Sequence, residues 1–252
     1  MEWRDEGIVL SARRHGETSA IVTLLTREHG CHAGLVKGGF SKRSRAVIEP
    51  GNRAHAVWRG RLAEHLGLYA LETVHCHGAI LLDDGDRLSA MAAALAVAEG
   101  ALPEREPHGA VFAALEAFLD ALEHEDLAPE PAAWGGLYVK WELGLLRQLG
   151  FGLQLNHCAA TGVAGDLVWV SPKSASAVCR EAGEPYRDRL LPLPGFLLAR
   201  GGGAGTVGEV MKGLRLTGYF LDRHLFSPHG RAMPQARARL VERMARLANE
   251  PV

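Results

Sequence analysis

The chain has 252 residues, 47% hydrophobic and 23% charged, with a formal charge of −1, so it is long enough for two or three small cores. The start, Met-Glu-Trp-Arg-Asp-Glu, puts acids where a signal peptide needs an apolar run, and no window approaches the roughly 18 unbroken apolar residues of a membrane span. Four scattered cysteines, Cys31, Cys76, Cys158 and Cys179, are too few to staple a chain of this size, so an export signal, a membrane span and a disulfide framework are all disfavoured and a cytoplasmic protein is expected.

The near-neutral total hides a segregated charge. Met1 to Arg61 carries 11 Lys and Arg against 6 Asp and Glu, residues 62 to 135 carry 2 against 14, and residues 136 to 252 carry 15 against 9. From Glu6 to about Leu82 the apolar residues come in short runs rich in β-branched and aromatic types. The pattern predicts five strands, near Gly7 to Arg13, Ser19 to Thr26, Cys31 to Lys37, Arg53 to Arg59 and Leu66 to His75, broken at His15-Gly16, His29-Gly30, Gly38-Gly39 and Pro50-Gly51. A barrel removes the exposed edges of such strands, and the five-stranded OB type is the common version that binds nucleic acid along one face.

After Asp83 the period changes to helical. Leu88, Met91, Ala92 and Leu95 share one face, and Pro107 opens a second helix with a stripe of Val111, Phe112, Leu115, Phe118, Leu119 and Leu122. A third stripe, from Trp134 through Trp141 to Leu149, stops at Gly150. Residues 151 to 195 read as a small irregular insertion with one strand at Leu167 to Val170 and a proline-rich exit. Thr206 and Glu209 have capping-box spacing at the start of a helix running to about Phe226, and a basic helix follows Pro234.

The loop Lys-Gly-Gly-Phe-Ser-Lys-Arg-Ser-Arg, residues 37 to 45, suits contact with a polyanion: Lys37, Lys42, Arg43 and Arg45 crowd it, and two glycines free its backbone. A barrel could gather Arg13, Arg14, Arg53, Arg59 and Arg61 beside it. Phe40 and Trp58 are candidate base-stacking residues, although an aromatic residue in a strand, such as Trp58, more often packs inside.

Other patterns carry less. Cys158 and Cys179 stand where two CxxC knuckles would begin, but their partner positions hold Thr161 and Ala182, so a four-ligand zinc is disfavoured, even with His157 as a third donor. The group His29, Cys31, His32 and the group His75, Cys76, His77 could share a metal only if their two strands met in register. Gly203-Ala204-Gly205-Thr206-Val207-Gly208 satisfies GxGxxG after a candidate strand at Phe196 to Arg200, yet no βαβ unit follows, and it reads as a linker and helix cap. Asp83, Asp84 and Asp86 fit a turn and a helix N-terminus. No catalytic centre is expected, since neither a Gly-x-Ser-x-Gly elbow nor HExxH occurs.

Glu-Gly-Ile-Val-Leu, Arg-His-Gly-Glu-Thr-Ser, Leu-Thr-Arg-Glu-His-Gly, Val-Lys-Gly-Gly and Glu-Pro-Gly-Asn, in that order, resemble the RecO family of bacterial recombination mediators. The likeness continues downstream in Cys-Ala-Ala-Thr-Gly at 158, Val-Ser-Pro-Lys-Ser at 170, Arg-Glu-Ala-Gly-Glu-Pro-Tyr at 180 and Leu-Pro-Leu-Pro at 191. The resemblance implies an α+β chain: an N-terminal OB-fold barrel over 1–82 and a helical domain over 83–150 and 196–252, with a zinc-finger-like insertion at 151–195. It further implies a non-enzymatic, nucleoid-associated role in DNA repair and recombination. Members of this family bind single- and double-stranded DNA, anneal complementary strands, engage the single-strand-binding protein and act with RecR to load RecA. Many carry a four-cysteine zinc module, from which this chain departs at Thr161 and Ala182; with no cofactor expected, Leu167, Val168, Trp169 and Val170 are left to pack the insertion. The rival readings are an adaptor that recognises acidic protein tails and an oxidoreductase using the glycines at 203 to 208.

Overall fold

The structure, a computed structural model, describes residues 1–41, 45–198 and 205–249. It divides into two compact units, Met1–His124 with Pro234–Arg237, and Glu125–Met233 with Ala238–Val252.

The first unit is built on five strands, β1 (Glu2–His15), β2 (Ser19–Thr26), β3 (Gly30–Val36), β4 (Arg53–Arg59) and β5 (Leu68–His75). They close into a barrel in the order β1-β2-β3-β5-β4. β1 is longer than its pattern suggested because it serves two partners: Glu2 to Ile8 pairs with β4, and Gly7 to His15 pairs with β2. A bulge between Val9 and Ser11 lets the strand bend from one partner to the other. Val9, Val22, Leu24, Ala56, Trp58 and Tyr69 fill the interior with Ile48. Gly34 is required there, since a Cβ would lie 2.3 Å from the Tyr69 ring. The Tyr69 hydroxyl lies 3.0 Å from His32 Nδ1, which satisfies both buried polar groups.

The two long helices of this unit are α1 (Gly85–Ala101) and α2 (Gly109–Leu122), after a single helical turn at His77–Ile80. Asp84 caps α1 by accepting from the amides of Asp86 at 3.1 Å and Arg87 at 2.9 Å, as the acidic run foretold. Arg87 in turn donates to the Leu122 carbonyl at 2.7 Å, so the start of α1 is tied to the end of α2. Every member of the α2 stripe is buried, each contributing roughly 1.5–3 kcal/mol of transfer free energy. Arg53 and Arg27 both reach Glu116 of α2 and Glu6 of β1, and Arg27 also lies over the Phe112 ring at 4.6 Å.

The second unit packs α3 (Pro131–Gln148) against α4 (Val207–Leu221), with α5 (Gln235–Leu247) contributing Leu240 and Met244 to its core. Gly213 permits the close approach, because a Cβ there would meet Val139 at 2.8 Å. Thr217 of α4 donates to Glu142 of α3, fully buried between them. Thr206 accepts from the Glu209 amide at 3.3 Å, but the Glu209 carboxylate turns away to the Gly195 amide at 2.8 Å, so only half of the expected capping box forms. That contact belongs to a 3-10 turn at Gly195–Leu197, which replaces the strand expected from Phe196; Ala199 to Ala204 lie outside the described residues.

The insertion is a three-stranded sheet ordered β7-β6-β8, with β6 (Leu167–Val170), β7 (Ala177–Cys179) and β8 (Leu191–Pro192). Leu167 and Val170 are buried in it, whereas Val168 and Trp169 are only partly covered.

Candidate nucleic-acid interface

The barrel end at which β1 and β3 both stop gathers cations. Register places Arg14 opposite Ala20 and Ala20 opposite Val36, so Lys37 lies one residue beyond that row. The Phe40 amide donates to the Thr18 carbonyl at 3.2 Å, folding the first turn of the 37–45 loop back over the β1–β2 turn. Arg13, Arg14 and Lys37 are exposed there, and among the described residues none of them pairs with a carboxylate. Arg13 and Arg14 are consecutive on a strand and so point to opposite faces. Arg45 is exposed and only 3.6 Å from Glu49, a surface contact worth under about 1 kcal/mol. Lys42 and Arg43 lie outside the described residues.

β3 and β5 meet through a single parallel pair, Leu35 with Leu68, and the opening beside it is a groove of about 580 Å³. Its walls include Lys37 and Arg59, with Val36, Val57 and Leu71 between them and Glu72 as the acidic member. Arg59 is not free in the groove: its Nε donates to Glu2 at 2.7 Å, and this contact holds the Glu2 carboxyl below its ordinary range.

Two of the expected contacts are elsewhere. Arg53 heads β4, about 20 Å along the strand from Arg59, and is consumed by Glu116 at 2.5 Å and Glu6 at 3.7 Å. Trp58 is 1% exposed, its indole nitrogen donates to the Leu66 carbonyl at 3.0 Å, and it is core instead of a stacking platform. The reason is register, since Trp58 follows the inward residues Ala54 and Ala56 at period two. Phe40 is partly buried against the barrel core, and the Arg14 guanidinium covers its ring at 5.0 Å.

An aromatic site that the charge pattern did not disclose lies at the opposite end of β1. Trp3 stacks on His29 with centroids 4.1 Å apart and an interplanar angle of 9°, at the mouth of a 390 Å³ cleft that also includes His32, Trp58 and Arg105. The available signal was the pairing of Trp3 with Trp58 on neighbouring strands, which needs the register to be seen. Burial, then the nearby Arg105 charge, push the His32 imidazole down to about 4, so it is neutral at physiological pH.

The two histidine-cysteine groups do not meet. β3 and β5 share a single ladder pair, Leu35 with Leu68, at the far end of β5 from His75; His29 pairs with Asp5 at 3.0 Å, while His75 and His77 converge on Glu123. In the insertion, Cys158 Sγ accepts the Cys179 amide at 3.2 Å, and Thr161 Oγ1 lies 3.6 Å from Cys179 Sγ. Burial raises the Cys158 thiol, but the amides of Cys179, Ala160 and Thr161 and the Thr161 hydroxyl outweigh it and bring the thiol to about 6. The turn therefore keeps the amide-to-sulfur bonds of a zinc knuckle, while two thiols, a hydroxyl and the Ala182 methyl do not make the four ligands of a structural zinc.

The family model described as Recombination protein O N terminal matches residues 1–77, and that described as Recombination protein O C terminal matches residues 82–232. A DNA repair protein RecO from Rhodospirillum centenum is 54% identical over 245 residues, covering 96% of this chain and 94% of its own. Those from Rhodospirillum rubrum and Phenylobacterium zucineum are 50% and 51% identical, covering 98% and 97% of this chain and 97% and 98% of their own. No helix of the described residues is long and apolar enough to cross a membrane. With both family models in register on the two halves of the chain and full-length relatives at half identity, the protein belongs to the RecO family of DNA repair and recombination proteins.

Proposed function

We propose that this chain binds single- and double-stranded DNA through the barrel end formed by Arg13, Arg14, Lys37 and the 37–45 loop, with Lys42, Arg43 and Arg45 extending the contact. The observation that carries this reading is that Arg13, Arg14 and Lys37 are exposed without carboxylate partners among the described residues, on a closed five-stranded barrel, in a chain of a DNA repair family. Binding is charge neutralisation: each Lys or Arg that meets a phosphate releases condensed counterions, so affinity depends on salt and little on sequence. A cationic surface also lowers the repulsion between two phosphate backbones, which is what annealing of complementary strands needs.

Arg59 serves DNA only by exchanging Glu2 for a phosphate, and Arg53 holds α2 instead. The acidic segment from 62 to 135 repels the polyanion and orients it towards the cationic end. The protein acts as a mediator without chemistry of its own: with RecR it helps RecA load onto DNA covered by single-strand-binding protein. In this scheme the barrel of residues 1–82 grips DNA, while the helical part, 83–150 and 196–252, docks the protein partners.

A fluorescence titration of labelled single-stranded DNA across a salt series tests it directly. Affinity should fall linearly on a log-log plot, and a salt-independent constant would refute the reading. An acidic peptide in place of DNA separates it from a tail-binding adaptor.

A further inference from the structure

His75 ends β5, His77 opens the helical turn His77–Ile80, and Glu123 caps the end of α2. His75 Nε2 lies 2.7 Å and His77 Nδ1 2.5 Å from the same Glu123 carboxylate oxygen, and the three donor atoms all fall within 4.8 Å of one another. We propose that His75, His77 and Glu123 form a binding site for a divalent transition metal of the zinc type, with an open position taken by water.

The hydrogen-bonding state of His77 supports the assignment. Its side chain is fully out of water, and its Nε2 has no hydrogen-bond partner, with Asp120 Oδ1 3.8 Å away. If neutral His77 donates from Nδ1 to Glu123, its Nε2 is a buried lone pair facing a carboxylate, which leaves the group unsatisfied. If Nδ1 instead gives its lone pair to a metal, the proton sits on Nε2 and points towards Asp120. That is the carboxylate–histidine–metal arrangement in which an outer carboxylate orients the ligand. That tautomer gives Nδ1 to the ion and aims the Nε2 proton at Asp120, which has to close from 3.8 Å to accept it.

The donor set suits the ion. Two imidazole nitrogens and one carboxylate oxygen are a zinc, cobalt or nickel combination, whereas magnesium and calcium take oxygen ligands. A tetrahedral ion about 2.0–2.1 Å from each donor spreads its ligands to roughly 3.3 Å, so each histidine nitrogen has to move less than about 1 Å away from the Glu123 oxygen, with the two histidine nitrogens, within 4.8 Å of one another, settling at the same spacing. The three residues come from 75, 77 and 123, so the ion would pin the last barrel strand to the end of α2.

The test uses the full-length protein stripped of metal and titrated with cobalt(II), followed by visible absorption and calorimetry. The expected result is one equivalent bound with d–d bands but without a thiolate charge-transfer band, and a melting temperature that rises until the site saturates. A Cys158→Ser, Cys179→Ser double variant should bind as well as the parent. His75→Ala and Glu123→Gln, checked for native circular dichroism, should each lose at least about tenfold in affinity, one missing ligand's worth. No binding, binding that survives either substitution at full affinity, or binding that disappears only with the cysteines would overturn the site in favour of a hydrogen-bonded His–Glu–His cluster.

Discussion

Replacing Arg13, Arg14 and Lys37 together by alanine removes three exposed charges that no carboxylate neutralises among the described residues. If each meets one phosphate of a single strand, the slope of log affinity against log salt becomes shallower by about 0.7 per charge, or about 2 in all. Between 50 and 200 mM salt a slope difference of 2 changes the ratio of parent to variant affinity by about 16-fold, well outside the error of an anisotropy titration. The gap should be widest at low salt and close as salt rises. The side chains are exposed, so the melting temperature should stay within a degree or two of the parent. An unchanged slope in a folded triple variant would place DNA elsewhere, and an equal loss at every salt concentration would point to a disturbed fold instead of lost phosphate contacts.

Arg53→Ala should behave in the opposite way: loss of the contacts to Glu116 and Glu6 costs about 2 kcal/mol and lowers the melting temperature by about 4–8 °C, with the salt slope intact. A slope change with native stability would return Arg53 to the interface. Gly34→Ala should destabilise the barrel by about 2–3 kcal/mol in urea unfolding, because the new Cβ would press 2.3 Å from a Tyr69 ring that its hydroxyl contact to His32 holds in place. Parental stability in that variant would mean that Tyr69 is free to shift. His32 predicts an acid-side loss. Its folded value of about 4 lies below the ordinary 6.5, so the unfolded chain takes up the proton first and stability falls as pH drops from about 6.5 to about 4, by on the order of 2 kcal/mol. A His32→Gln variant should flatten this part of the profile, and an identical pH dependence in both proteins would contradict the assignment.

Much of the architecture was legible in local patterns. β2 and β4 fall on the residues where short β-branched and aromatic runs between turn residues placed them, and Asp84 and Thr206 start their helices as capping residues. Those features rest on neighbours within a few positions, which any reading of the chain can see. The family was legible too, because its short motifs occur in order along the whole length.

The chemistry of individual side chains was not. Arg53 and Arg59 are alike in sequence, both basic ends of one strand, yet Arg53 is spent on a glutamate 63 residues away and Arg59 on one 57 residues away. Trp58 was a candidate platform until barrel closure put it inside, and Trp3, unnoticed in the sequence, stacks on His29 at the edge of a cleft. His75 and His77 acquire a common partner only when α2 brings Glu123 to the end of β5. By itself, then, the sequence determined strand and helix placement, the segregation of charge and membership in the RecO family. Which charges are free and which aromatics are covered was decided by tertiary structure, because those properties depend on contacts between residues tens of positions apart that no local period records.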